Sequence, residues 1–291
     1  MKRLFAALLC LLLLVCMCAC REEEAHAARQ EFLQNAVLTE EQAAVLKTKT
    51  VILDPGHGFD DPGCEYPEKG IIEKELTLVL AHKIGACLEQ SGITVLYTHD
   101  GQTFLPLPAL NAFAEAEDYN LRDYLEELIH SYSGREGKEA ADTVEAFLAG
   151  LNDDGVFDTF ERAHYANLLD ARSSADLFLS VHINASATNS KASGFDLFVC
   201  SDTPYEAQTG RLMSTMEDAL LFFFPKTRCG ARALSWDGAY VVTKYADMPA
   251  LLLESGFATN GGDAKNLTNS AWQDQFASAV ADGIRMYLLE L

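Results

Sequence analysis

Four residues in this sequence have types and surroundings that suit joint chemistry: His57, Glu73, His182 and Glu254. Two imidazoles and a carboxylate form a donor set for a catalytic zinc, which takes three protein ligands and keeps one position open for water. Such a site runs hydrolysis, because the ion polarises a carbonyl and lowers the pKa of its water to about 7. With His57, His182 and Glu73 as donors, Zn²⁺ retains a single net positive charge, whereas thiolates would quench its acidity. No cysteine pair is spaced for that role. Glu254 then serves as the base. It follows Leu251-Leu252-Leu253 directly, and an acid at the end of a buried strand is costly unless it is paired or functional. Taken singly these residues say less: a strand-end histidine is more often a hydrogen-bonded surface group, and a glutamate opening a helix is favoured by the helix dipole alone.

The elements around them explain how they could meet. Thr50 to Asp54 is a β-branched, apolar run stopped by Pro55-Gly56-His57-Gly58, which reads as a strand and a turn. Leu76, Leu80, Ile84 and Leu88 repeat every fourth residue and predict a helix from Glu73 to Gln90, closed by Gly92. Ile93 to Thr98 is the next strand. Strand, helix and strand at this spacing make a βαβ unit, which implies a parallel sheet. Gly101 to about Asp158 breaks the rhythm with acidic helical segments and reads as an insertion. The α/β pattern then resumes with a helix near Phe160 to Ala175 and strands Leu177 to His182 and Phe195 to Cys200. A helix from Glu206 to Phe223, strands Tyr240 to Thr243 and Ala250 to Glu254, and a closing helix from Ser270 to Leu289 follow. The expected fold is therefore α/β: one domain with a mostly parallel twisted sheet flanked by helices, plus a helical acidic insertion. In open sheets of this kind functional groups gather beyond the carboxyl ends of the strands. His57, His182 and Glu254 each end such a run, and Glu73 opens the helix after the first.

Four segments together carry a family resemblance. Asp54-Pro55-Gly56-His57-Gly58, Glu73-Lys74-Glu75-Leu76, Ser180-Val181-His182-Ile183-Asn184-Ala185 and the run from Pro249 to Asn260 resemble the signature segments of the zinc-dependent N-acetylmuramoyl-L-alanine amidases, in the family order. The resemblance covers about residues 50 to 100 and 165 to 290. It implies that His57, Glu73 and His182 bind one Zn²⁺ and that Glu254 is catalytic. It also implies a substrate, peptidoglycan, cut at the amide between the lactyl group of N-acetylmuramic acid and the L-alanine of the stem peptide. Where the family commonly has Thr-Arg, this chain has Thr98-His99, so His99 is either a local substitution or a polar group lining the cleft. Asn184 is a further candidate for touching substrate.

Composition sets outer limits. A formal net charge of −21 in 291 residues makes nucleic acid an improbable partner, because polyphosphate binding needs a dense basic surface. Lys2 and Arg3 followed by apolar residues from Leu4 to Ala19 read as a secretory leader, and Ala19-Cys20 resembles a lipoprotein cleavage box that would make Cys20 the lipidated first residue. That gives three regions: a leader over 1–20, a polar spacer over 21–47, helical or loosely ordered, that lifts the domain off the membrane, and a catalytic domain over 48–291. The protein is then expected outside the cytoplasm, lipid-anchored to the outer face of the bacterial cytoplasmic membrane or else secreted. The remaining cysteines, Cys64, Cys87, Cys200 and Cys229, are too sparse for a disulfide scaffold. The acidic insertion could be a lid or dock a protein regulator. Two other readings stay open: an envelope lipoprotein that binds wall peptide with little turnover, and a zinc peptidase or deacetylase acting on another amide.

Overall fold

The computed structural model describes residues 23–35, 37–58, 61–99, 101, 159, 162–163, 166–167, 169–170 and 174–290. The residues read as a leader, with Cys20, and nearly all of those read as an acidic insertion lie outside this description. At the centre is a six-stranded sheet of β1 (Thr50–Pro55), β4 (Thr94–Tyr97), β5 (Leu177–Asn184), β6 (Phe195–Cys200), β7 (Cys229–Leu234) and β8 (Ala250–Phe257), in the spatial order β4-β1-β5-β8-β6-β7. Every neighbouring pair is parallel except β6 with β8, so the expected mostly parallel sheet is what forms. A short hairpin of β2 (Glu65–Tyr66) and β3 (Ile71–Ile72) stands apart.

Strands buried on both faces read as continuous apolar runs, and β1 and β8 are buried along their whole length. Alternate residues serve opposite faces. Val51, Leu53, Leu177, Leu179, Leu251 and Leu253 pack one face against α2 (Glu73–Glu89), α3 (Glu206–Phe223) and α6 (Ser270–Leu288), the largest apolar cluster. Ile52, Phe178, Phe198, Ala250 and Leu252 cover the other face, beneath Ala166, Val242 and Ala246. This second face also carries Asp54, His182 and Glu254.

Two differences from the sequence reading concern that second face. Tyr240 to Thr243, expected as a strand, belongs instead to a helical turn, α4 (Val241–Lys244), with Lys244 N donating to Tyr240 O at 2.9 Å and Tyr245 N to Val241 O at 3.1 Å. A four-residue run of aromatic and β-branched residues does not distinguish a strand from a buried helical turn, and here Val242 buries as part of a turn. The edge strand is instead β7, whose Gly230, Ala231 and Ala233 give little β signal. A short helix, α5 (Gly261–Leu267), follows β8 with Asn260 as its N-cap.

The segment read as a spacer is largely helical. Residues 23–35 are helical, and Arg29 and His26 pair with Asp218 of α3 while Leu33 buries against Ala219 and Met286. Next, α1 (Glu40–Leu46) opens with a reciprocal capping box between Thr39 and Gln42 and buries Leu46 completely. These residues rest on the domain. Among the described residues no helix is long and apolar enough to cross a membrane.

Candidate active site

His57 leaves the end of β1 on a turn that needs unusual backbone. Its φ is +62°, a conformation a non-glycine residue holds only when its surroundings enforce it. The enforcing contacts are present: Gly56 N donates to Val181 O at 2.8 Å, Thr77 Oγ1 to Gly56 O at 2.7 Å, and Arg162 to both Pro55 O and His57 O. Beneath the turn Asp54 is fully buried and accepts from Thr98, Ser180 and Arg162 at 2.6, 2.7 and 3.0 Å. It thereby ties β1, β4, β5 and the helical residues around 162 to one carboxylate. Burial opposes ionisation of Asp54, but Arg162 and the two hydroxyls win and hold its pKa below the usual carboxylate value.

Glu73, the first residue of α2, is 3% exposed. Its Oε2 accepts from Cys64 N and its Oε1 from Ile183 N, both at 2.8 Å. His57 Nε2 lies 3.2 Å and His182 Nδ1 3.3 Å from Oε1, and one donor atom from each of the three residues lies within 4.8 Å of the others. Glycines make the convergence feasible. A Cβ on Gly56 would overlap the His182 ring, and one on Gly63, itself at φ +66°, would strike both Glu73 and His57.

The three side chains fit a zinc ion by donor chemistry and by spacing. Ligand atoms at about 2.0–2.1 Å from a tetrahedral zinc stand roughly 3.3 Å apart, close to the two separations from Glu73 Oε1. Asp61 completes the arrangement: its Oδ2 lies 2.7 Å from His57 Nδ1, the carboxylate-to-histidine contact that usually orients a metal-binding imidazole. Electrostatics agree. Burial alone would lower the His57 pKa, but Glu73 and Asp61 outweigh it and raise the value to about 9. For Glu73, burial pushes upward and the two imidazoles with the Cys64 amide prevail, keeping it an anion well below the ordinary carboxylate range.

Glu254 sits on β8 in register with His182 on β5 and Asp196 on β6, so all three side chains share one face. It is 8% exposed, and its Oε2 has no hydrogen-bond partner among the described residues. Burial first, then the negative charges of Glu73 and Asp196, raise its pKa to about 8 against a smaller opposing pull from His57. His57, Glu73, His182 and Glu254 line one cavity of about 500 Å³, with Asn184 and Tyr240 on its wall.

His99 does not reach this cavity. It is 1% exposed, with Nε2 2.7 Å from Pro55 O and Nδ1 accepting from Gly101 N, and it supports the His57 turn from below. Sequence reasoning missed Asp61, Arg162 and Asp196. An aspartate four residues after a candidate metal histidine was a usable signal for Asp61. Arg162 and Asp196 reach the site only through tertiary packing.

Comparison with known proteins gives the chain a family. The family model for N-acetylmuramoyl-L-alanine amidases of type 3 matches residues 51–122 and 139–286. The chain is 27% identical over 240 residues to N-acetylmuramoyl-L-alanine amidase LytC of Bacillus subtilis, covering 82% of this chain but only 35% of that protein. Among solved structures it resembles the CwlD amidase of Clostridioides difficile in complex with the GerS lipoprotein (TM-score 0.57, 24% identity, 84% of this chain and 100% of that one). It also resembles an N-acetylmuramoyl-L-alanine amidase of Clostridium difficile 630 (TM-score 0.56, 23% identity, 82% and 96%). The motif order, the sheet and the family match lead to one conclusion: the chain belongs to the N-acetylmuramoyl-L-alanine amidase family of type 3.

Proposed function

We propose that this chain is a zinc-dependent N-acetylmuramoyl-L-alanine amidase that releases stem peptides from peptidoglycan. The observation that carries the reading is the convergence of His57, Glu73 and His182 beside a buried Glu254 with an unpartnered oxygen. When bound, zinc supplies Lewis acidity toward the amide carbonyl and toward water. Glu254 accepts the proton of the attacking water and delivers it to the departing L-alanine nitrogen as the C–N bond breaks. Burial and the neighbouring carboxylates raise the Glu254 carboxyl to about 8 in the metal-free chain, and a divalent cation beside it would draw that value down toward the range in which a carboxylate both takes and returns a proton. Glu73 stays fixed by the Cys64 and Ile183 amides, Asp61 orients His57, and Asn184, which lines the cavity, touches the substrate in this reading. Digestion of purified peptidoglycan by the zinc-loaded protein, followed by mass spectrometry, should yield stem peptides with a free L-alanine amine and glycan with intact lactyl groups. Wall-bound protein with no product, or cleavage at another amide, overturns the reading.

The residues over 1–20 support a further part of it: export and tethering through a lipid on Cys20 at the outer face of the cytoplasmic membrane. Cys20→Ser should release the protein from the membrane fraction, and unchanged fractionation would reject the anchor.

A further inference from the structure

A second cavity, of about 540 Å³, adjoins the first, and Asn184 and Ala185 line both. Its wall carries Lys191, Arg228 and Arg232, a cationic concentration on a chain whose net charge is −21. The two arginine side chains are about half exposed, yet they are held in place. Arg228 donates from Nη2 to Asp196 Oδ1 at 2.8 Å and from Nε to Ser193 O at 3.1 Å. Arg232 Nη2 lies 3.5 Å from the same Asp196 oxygen, and its guanidinium stands 5.3 Å from the Phe198 ring centroid. Asp196 is 2% exposed, and one carboxylate cannot neutralise three cations. The strand is thinned to admit the pair, since a Cβ on Gly230 would collide with Arg228 Nη1 and Asp196 Oδ1 together. The groove is coupled to the catalytic cavity through rings as well, because Phe198 packs edge-on against Tyr240 at 5.0 Å.

Resting on the amidase reading above, we propose that the groove lined by Lys191, Arg228 and Arg232 is a carboxylate-binding subsite that receives the acidic stem peptide beyond the scissile amide. Arginine forks match carboxylates in shape and charge and keep that charge at any working pH. The glycan side of the substrate, whose lactyl carboxyl is tied up in the amide, offers no equivalent anion. The peptide offers two, an internal acidic residue and the C-terminal carboxylate.

The test compares three synthetic muropeptides with the zinc-loaded wild-type enzyme and with the Arg232→Gln/Lys191→Gln variant, which leaves the Arg228–Asp196 pair intact. One substrate carries both carboxylates, one has the internal acid as its amide, and one has the C-terminus as its amide. The variant should raise KM for the fully acidic substrate by about tenfold, and the penalty should disappear for the amide that lacks the recognised carboxylate, identifying which one binds. An equal rise on all three substrates, or no rise on any, overturns the subsite. If the wild-type enzyme cuts none of them, the amidase reading has failed by itself. Calorimetry of the free stem peptide against its doubly amidated form then decides the groove, and equal affinity for the two overturns it.

Discussion

Glu254 on β8 and His182 on β5 are direct register partners across a parallel strand pair, so the proposed base and a proposed metal ligand project from the same sheet face. The pairing makes the two roles separable. Glu254→Gln should keep one zinc per chain and lower the rate of stem-peptide release by roughly 10²–10⁴, measured by metal analysis beside the release assay. Loss of zinc in this variant would move Glu254 into the ligand set, and retained activity would remove it from the reaction.

Asp61 gives a subtler test, because it touches His57 without entering the donor set. Asp61→Asn should weaken zinc binding about 10–100-fold, the usual effect of losing an orienting partner. The fold should be unchanged by circular dichroism, and activity should return at high zinc. Unaltered zinc affinity would leave Asp61 a mere surface neighbour of His57.

The metal-free protein should lose stability as pH rises. Glu254 has its folded pKa raised from 4.5 to about 8, so between those values the folded chain binds more protons than the unfolded one. The contribution is fully present below 4.5 and lost as pH rises through 8. His57, raised from 6.5 to about 9, acts in the same sense at higher pH. Thermal unfolding in chelator should therefore show a falling Tm from pH 4.5 to 9. Glu254→Gln should be more stable than wild type at pH 9 and should show no such advantage at pH 4.5. Parallel curves for the two proteins would contradict the raised value.

The buried Asp54 carboxylate predicts a structural phenotype. Asp54→Ala leaves the Arg162 guanidinium, itself 3% exposed, without its carboxylate and should destabilise the protein by about 3–5 kcal/mol, read by denaturant unfolding. A change below about 1 kcal/mol would show that the Arg162 carbonyl contacts suffice.

What the sequence displayed and what it hid differ by the range of the interaction. His57, Glu73, His182 and Glu254 were legible because each sits where a local pattern changes: a strand stops, a helix starts, an apolar run meets an acid. The strands β1, β5, β6 and β8 were legible by their apolar runs, and α2 by its four-residue repeat. Tyr240 to Thr243 misled because so short a run fits two backbones equally well, and β7 went unseen because Gly230, Ala231 and Ala233 give little strand signal, the glycine making room for Arg228 and Asp196. Asp196 had no local signal, since its nearness to Glu254 comes from an antiparallel pairing across 58 residues of chain.

In the proposed reaction three side chains, from the turn after β1, from α2 and from β5, hold one ion while a fourth faces it from β8. The most direct measurement is anomalous diffraction at the zinc absorption edge from crystals of the zinc-loaded protein. One peak is expected, with His57, Glu73 and His182 at bonding distance and the Glu254 carboxylate nearby without coordinating. A peak held by other residues, or none at saturating zinc, would contradict it.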